Sequence, residues 1–128
     1  MRVLIIEDND DNLELITFLL ENAGFTNFAA ITGEEGIEKI GQNCYDLIIS
    51  DIQLPGLDGQ ETLEQIRQLP NGAKVPAIAM TSYAMAGDRE KLLAAGFDGY
   101  IEKPIDPERV ITQINQIVSQ CHENPDRR

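Results

Sequence analysis

YDLIISDIQLPGLDG, residues 45–59, sets a short apolar run against a carboxylate and a Pro-Gly loop. Leu47, Ile48 and Ile49 show no polar alternation. That is the pattern of a strand buried on both faces inside a parallel sheet. The run stops at Ser50-Asp51, and Pro55, Gly56 and Gly59 mark a loop. Asp51 therefore stands where a buried strand ends, and in open α/β sheets ligands bind outside the carboxyl ends of the strands. Taken alone, an aspartate there also reads as a strand-end or helix-capping residue. The other strand ends decide between the two.

Upstream, residues 2–7 form a second apolar run, and Glu7, Asp8, Asp10 and Asp11 crowd the turn after it. Leu13, Ile16, Leu20 and Ala23 recur at helical spacing up to a stop at Gly24. Residues 26–31 predict a strand. Thr32-Gly33-Glu34-Glu35 fits a capping box opening a short helix that carries Ile37 and Ile40 and ends at Gly41. Downstream, Asp58 with Glu61 starts a helix bearing Leu63 and Ile66, and Pro70-Asn71-Gly72 is a loop. Residues 75–80 predict a fourth strand ending at Thr81-Ser82. The helix expected over 86–95 has little besides Leu92, Leu93 and alanines to bury. Residues 99–102 are a brief fifth strand ending at Lys103-Pro104. Asp106-Pro107 then caps a last helix with a stripe of Val110, Ile111, Ile114, Ile117 and Val118.

Five strands alternating with five helices, without repeat, low-complexity tract or linker, predict an α/β fold. It is a doubly wound, five-stranded parallel sheet with right-handed crossovers. The first, third and fourth strands are the most apolar and belong in the centre. Order 2-1-3-4-5 satisfies this and places the topological switch point between the first and third strands. The expected organisation is one domain over residues 1–120 and a short flexible tail over 121–128.

The 128 residues and 42% hydrophobic content suit one aliphatic core, with no tryptophan. A net charge of −12 lacks the basic footprint of a DNA-binding protein and argues against docking on anionic membrane. It suits a divalent cation or a basic partner, although most of it reads as a solvated surface. No run reaches the roughly 18 apolar residues of a membrane span. The N-terminus, MRVLIIEDN, is too short in apolar residues for a signal peptide, so a cytoplasmic location is expected. Cys44 and Cys121 have no metal-ligand spacing and read as free thiols.

The strand ends now read together: Glu7-Asp8 on the first, Asp51 on the third, Thr81 on the fourth, Lys103 on the fifth. All lie on one edge of a parallel sheet. Crowded carboxylates repel unless a cation relieves them. A hard divalent ion such as Mg²⁺ suits such a pocket. A lysine ammonium and a threonine hydroxyl suit an anion beside it, and a phosphoryl group is the natural occupant. Asp51, at the switch point, is the candidate nucleophile, giving an acyl phosphate. Each residue alone has an ordinary alternative: Glu7-Asp8 as a helix cap, Lys103 as a surface lysine.

The chain resembles the response-regulator receiver domains of two-component signalling, of the chemotaxis-regulator (CheY-like, flavodoxin-like) type, over residues 2–120. The resemblance rests on Glu7-Asp8-Asn9, on Ser50-Asp51 through Asp58-Gly59, on Met80-Thr81-Ser82 with Tyr83-Ala84, and on Gly99-Tyr100-Ile101-Glu102-Lys103-Pro104. It implies that Asp51 is the phosphoacceptor. Asp8 would bind Mg²⁺ directly and Glu7 through water, with the backbone carbonyl of Gln53 as a further ligand. Thr81 and the amide of Ser82 would hold phosphoryl oxygens opposite Lys103, and the Lys103–Pro104 bond would be cis. Gln53 and Tyr83 would tune dephosphorylation. Tyr83 is bulky and offers no carboxylate or amide to orient water, so a long-lived phosphoryl group is expected. Thr81 and Tyr100 would form the switch, assisted by the weakly anchored fourth helix.

The resemblance also implies a sensor histidine kinase or histidine phosphotransfer protein as donor, docking on the first helix at Phe18 and Leu15. It implies a protein target on the face of the fourth helix, fifth strand and fifth helix, or onward phosphorelay. The expected identity is a stand-alone regulator rather than an enzyme, catalysing only its own phosphorylation and dephosphorylation. Met1 directly before the first strand favours this over a receiver excised from a hybrid kinase. A Mg²⁺-dependent aspartyl phosphohydrolase is disfavoured because Gln53 stands where a second acid belongs. A flavin module is disfavoured because the acids after the first strand repel phosphate.

Overall fold

The apolar runs form strands β1 (Arg2–Ile6), β2 (Thr26–Ala30), β3 (Leu47–Asp51), β4 (Ala77–Thr81) and β5 (Gly99–Glu102) in a computed structural model that describes residues 1–82 and 86–123. All pairings are parallel and the order is β2-β1-β3-β4-β5, as expected. Between them run helices α1 (Asp10–Asn22), α2 (Gly33–Gln42), α3 (Gly59–Ile66), α4 (Ala86–Ala94) and α5 (Val110–Glu123), with a 3₁₀ turn at Pro70–Gly72.

Alternate side chains of each central strand go to opposite faces, which gives two cores. Val3, Ile5, Leu47, Ile49, Ile78 and Met80 pack with Ile16 and Leu20 of α1 and with Val110, Ile114 and Val118 of α5. Leu4, Ile6, Ile48, Ala77 and Ala79 pack with Ile40 of α2, Leu63 and Ile66 of α3 and Leu92 of α4. Burying strands on both faces is what removes the polar alternation from their sequences. Leu15, expected to stand outside the core, is half-buried against the first cluster, whereas Phe18 is 60% exposed.

Several boundaries differ from expectation for local reasons. β4 begins at Ala77 rather than at 75, because Pro76 has no N–H to give to a ladder; its carbonyl still accepts from Ile48 N at 2.9 Å. Gly41 lies inside α2, which closes at Asn43. Thr32 caps α2 by accepting from Glu35 N at 3.1 Å, but Glu35 reaches back one residue further, to Ile31 N. Asp58 and Glu61 form a complete capping box on α3. Asp106 does cap a turn, taking Glu108 N on Oδ1 at 3.0 Å and Val110 N on its carbonyl, yet the regular helix begins only at Val110. α5 runs to Glu123, past the expected boundary at Gln120, and Cys121 is buried. Residues 124–128 of the expected tail lie outside the described residues.

Gly59 lets the start of α3 close onto the end of β3. Its N–H donates to Ile52 O at 2.9 Å. A methyl group there would collide with the carbonyl oxygen of Asp51 and lie 2.7 Å from Ile52 Cα. Both are backbone atoms and cannot turn aside, so Gly59→Ala is expected to destabilise the domain by about 2 kcal/mol. Urea unfolding of the two proteins measures the difference; equal midpoints would contradict the close approach.

Candidate functional site

The C-terminal ends of β1, β3, β4 and β5 converge, because the register sets Ile6 beside Ser50, Asp51 beside Met80, and Thr81 beside Glu102. Asp51, the last residue of β3, is 4% exposed. Its Oδ1 accepts from Gln53 N at 3.1 Å and its Oδ2 from Lys103 Nζ at 2.8 Å. Glu7, directly after β1, is wholly buried. Lys103 Nζ donates to both of its oxygens, at 3.3 and 3.1 Å. Asp8 is exposed at the rim, yet one oxygen from each of Glu7, Asp8 and Asp51 lies within 4.8 Å of the others.

The Lys103 N–H donates to Thr81 O at 2.8 Å, which holds the residue beside the end of β4. The Lys103–Pro104 bond is cis, as expected. Thr81 is buried at the end of β4 and Ser82 is exposed beside it. Gln53 is exposed on the loop after Asp51. Tyr100 is half-buried on β5 and lines two clefts. One, of about 460 Å³, also involves Glu102 and Arg109; the other, of about 260 Å³, involves Leu93 and Ile117. Tyr83 lies outside the described residues.

The electrostatics follow from burial. Desolvation, and then the charge of Asp51, push the Glu7 carboxyl above its ordinary 4.5, against the opposing pull of Lys103 and Asn12. For Lys103, burial pulls the ammonium down. The hydrogen bond to Asp51 and the charges of Glu7 and Asp51 outweigh that, so it sits above its ordinary 10.5. Lys103 is thus the counter-cation of the acidic group as well as a candidate anion partner.

One contact of this centre was not legible as a motif. Asn12, in the first turn of α1, donates from Nδ2 to Glu7 Oε1 at 3.4 Å. Its position one helical turn after Asp8 was the available signal. The donor set around the cluster is hard carboxylate oxygen, which fits Mg²⁺ and does not fit a soft thiophilic ion.

The fold and centre define a class: an open α/β module with an acidic, lysine-bridged site at its switch point. The profile described as "Response regulator receiver domain" matches residues 3–115. The chain belongs to the response-regulator receiver domain family of two-component systems. It is 36% identical over 119 residues to the polar-differentiation response regulator DivK of Brucella ovis, covering 93% of this chain and 97% of that protein. It is 44% identical over 110 residues to the signal transduction histidine-protein kinase BarA of Escherichia coli, covering 86% of this chain but spanning only 12% of that kinase. The receiver domain of the sensor histidine kinase PA1611 of Pseudomonas aeruginosa superposes with a TM-score of 0.83 at 32% identity, covering 92% of this chain and 97% of that one; that structure has a magnesium ion coordinated in its active site cleft. The chemotaxis response regulator CheY4 of Vibrio cholerae shares the fold, with a TM-score of 0.86 at 24% identity over 91% of this chain and 97% of that one. Receiver domains are regulatory modules, and none of the described helices is long and apolar enough to cross a membrane.

Proposed function

We propose that this chain is a response regulator that accepts a phosphoryl group on Asp51 from a histidine kinase or histidine phosphotransfer protein, in a Mg²⁺-dependent reaction. The observation that carries this reading is the Asp51 carboxylate, 2.8 Å from Lys103 Nζ and clustered with Glu7 and Asp8. A carboxylate oxygen of Asp51 attacks phosphorus, the P–N bond to the donor imidazole breaks, and the imidazole leaves with a proton from solvent. Glu7, Asp8, Asp51 and the Gln53 carbonyl would hold Mg²⁺, which when bound offsets negative charge on the phosphoryl oxygens. Lys103 offers its ammonium to one phosphoryl oxygen, and Thr81 and the Ser82 N–H offer hydrogen bonds to others.

Output passes through a Thr81–Tyr100 switch to the face of α4, β5 and α5, to a protein target or a further relay partner. The thin apolar anchoring of α4 among residues 88–94 supports this. Leu92 is its buried side chain among residues 88–94. Its C-terminal end is tied down where Arg67 Nη2 donates to Gly96 O at 3.0 Å and faces Asp98 at 3.8 Å. The net charge of −12 accords with protein partners rather than DNA or membrane, and a cytoplasmic setting accords with a histidine-kinase donor. Phe18 on α1 is the donor-facing apolar group. Gln53 and Tyr83 would set the phosphoryl lifetime. The chain's regulatory chemistry is confined to its own phosphorylation and dephosphorylation. The match within BarA supports a second reading, the receiver segment of a hybrid kinase, with the same chemistry on Asp51.

Acetyl phosphate tests the reading without a protein partner. Intact mass is expected to rise by one phosphoryl group with Mg²⁺ present and to stay unchanged with EDTA. Decay timed on the same sample is expected to be far slower than seconds. No gain by the folded protein in Mg²⁺, from acetyl phosphate or from a phosphorylated histidine-kinase or phosphotransfer donor, would sink the phosphoacceptor reading in favour of signalling by binding alone; a gain from the protein donor alone would mean strict dependence on it.

A further inference from the structure

The two oxygens of Glu7 are held unequally. Oε1 accepts from Asn9 N at 3.3 Å, from Asn12 Nδ2 at 3.4 Å and from Lys103 Nζ at 3.3 Å. Oε2, among the described residues, is reached by Lys103 at 3.1 Å. Asn9 and Asn12 belong to the capped start of α1: Asn9 is its N-cap, and its side chain accepts from Asn12 N at 3.0 Å. That turn gives the wholly buried carboxylate two donors on one oxygen and none on the other.

We propose that Asn12 is a positioning residue that commits Glu7 Oε1 to the protein, leaves Oε2 as the oxygen that neither Asn9 nor Asn12 holds, and so favours Mg²⁺ over Ca²⁺. The inference rests on the cation-site reading above. Mg²⁺ is small, demands octahedral geometry and keeps several waters, so it uses one oxygen of a carboxylate or a water held by it. Ca²⁺ takes six to eight oxygens and gains from carboxylates that bind through both. A glutamate whose second oxygen is occupied by N–H donors denies Ca²⁺ that gain. The Asn9 donor is backbone and persists in any variant. The Asn12 amide is the part of the restraint that a substitution removes, and outer-shell partners of this kind affect metal affinity substantially.

Calorimetric titration of the wild type and Asn12→Ala with Mg²⁺ and, separately, Ca²⁺ tests this. Asn12 supports the α1 cap through its backbone N–H, so the alanine variant keeps that bond, and an unchanged melting temperature verifies the fold. The wild type is expected to prefer Mg²⁺. In Asn12→Ala the Mg²⁺/Ca²⁺ affinity ratio is expected to fall, by at most about tenfold because Asn9 N and Lys103 Nζ still hold Oε1. An unchanged ratio, or equal weakening of both ions as general loosening would give, overturns the role of Asn12 while leaving the cation site standing. A wild type that binds neither ion overturns both.

Discussion

Asp51→Asn is expected to take up no phosphoryl group under conditions that modify the wild type, with a rate lower by roughly 10⁴-fold or more, the scale seen when a nucleophile is removed. The substitution is isosteric. The oxygen that accepts from Gln53 N at 3.1 Å can remain an acceptor, so the loop after β3 keeps its anchor. What disappears is the negative charge and with it the nucleophile, since an amide oxygen is far too weakly basic to attack phosphorus. The fold is not expected to suffer. The charge of Asp51 is the second cause of the raised Glu7 carboxyl, after burial, so its removal relieves Glu7, and Lys103 keeps both contacts to Glu7. A variant that melts no lower than the wild type yet stays unmodified by acetyl phosphate and Mg²⁺ places the phosphoryl group on Asp51. Labelling at a wild-type rate would mean that another residue accepts it.

How much of this centre the sequence carried depended on whether the relevant contact was local. The ends of β1, β3, β4 and β5 were legible because each strand is a distinct apolar run, and strict alternation with helices forces the strands parallel, which brings their ends to one edge. Glu7, Asp8, Asp51, Thr81 and Lys103 followed from that placement alone. The pairings among them did not. Lys103 contacts Glu7 across 96 positions and Asp51 across 52, and no local pattern says that one ammonium serves both. Asn12 was missed because an asparagine in a first helical turn ordinarily reads as capping. Boundaries shifted where a strong local signal met a competing one. Pro107 is a good first helical residue, yet the chain makes a turn onto Asp106 before α5 becomes regular at Val110.

Lys103→Met tests the electrostatic side of the centre and carries the second large effect. Lys103 is the cation shared by Glu7 and Asp51, whose side chains are 0% and 6% exposed. Methionine fills similar volume but leaves two buried carboxylates without it. Breaking a buried pair by removing one partner costs about 3–5 kcal/mol; the Lys103 side chain is 14% exposed, which points to the lower end, about 3 kcal/mol at neutral pH without metal. The pH dependence has a definite sign. The Glu7 carboxyl already sits above its ordinary 4.5 through burial and the Asp51 charge, and removing Lys103 raises it further. A carboxyl raised in the folded state contributes stability that is fully present below its unfolded value and is lost as pH rises through its folded value. The deficit of Lys103→Met is therefore expected to be largest at neutral pH and to shrink as pH falls toward 4.5. Mg²⁺ is expected to bind this variant more tightly than the wild type, because it no longer competes with an ammonium for Glu7 and Asp51, and to restore much of the lost stability. The variant is expected to phosphorylate poorly all the same, since a metal ion would replace the charge of Lys103 but not the hydrogen bond proposed from it to a phosphoryl oxygen. Thermal unfolding across pH, with and without Mg²⁺, reads these effects. A deficit that is constant with pH and indifferent to Mg²⁺ would mean that Lys103 stabilises by packing, and that the acidic cluster does not depend on it for charge.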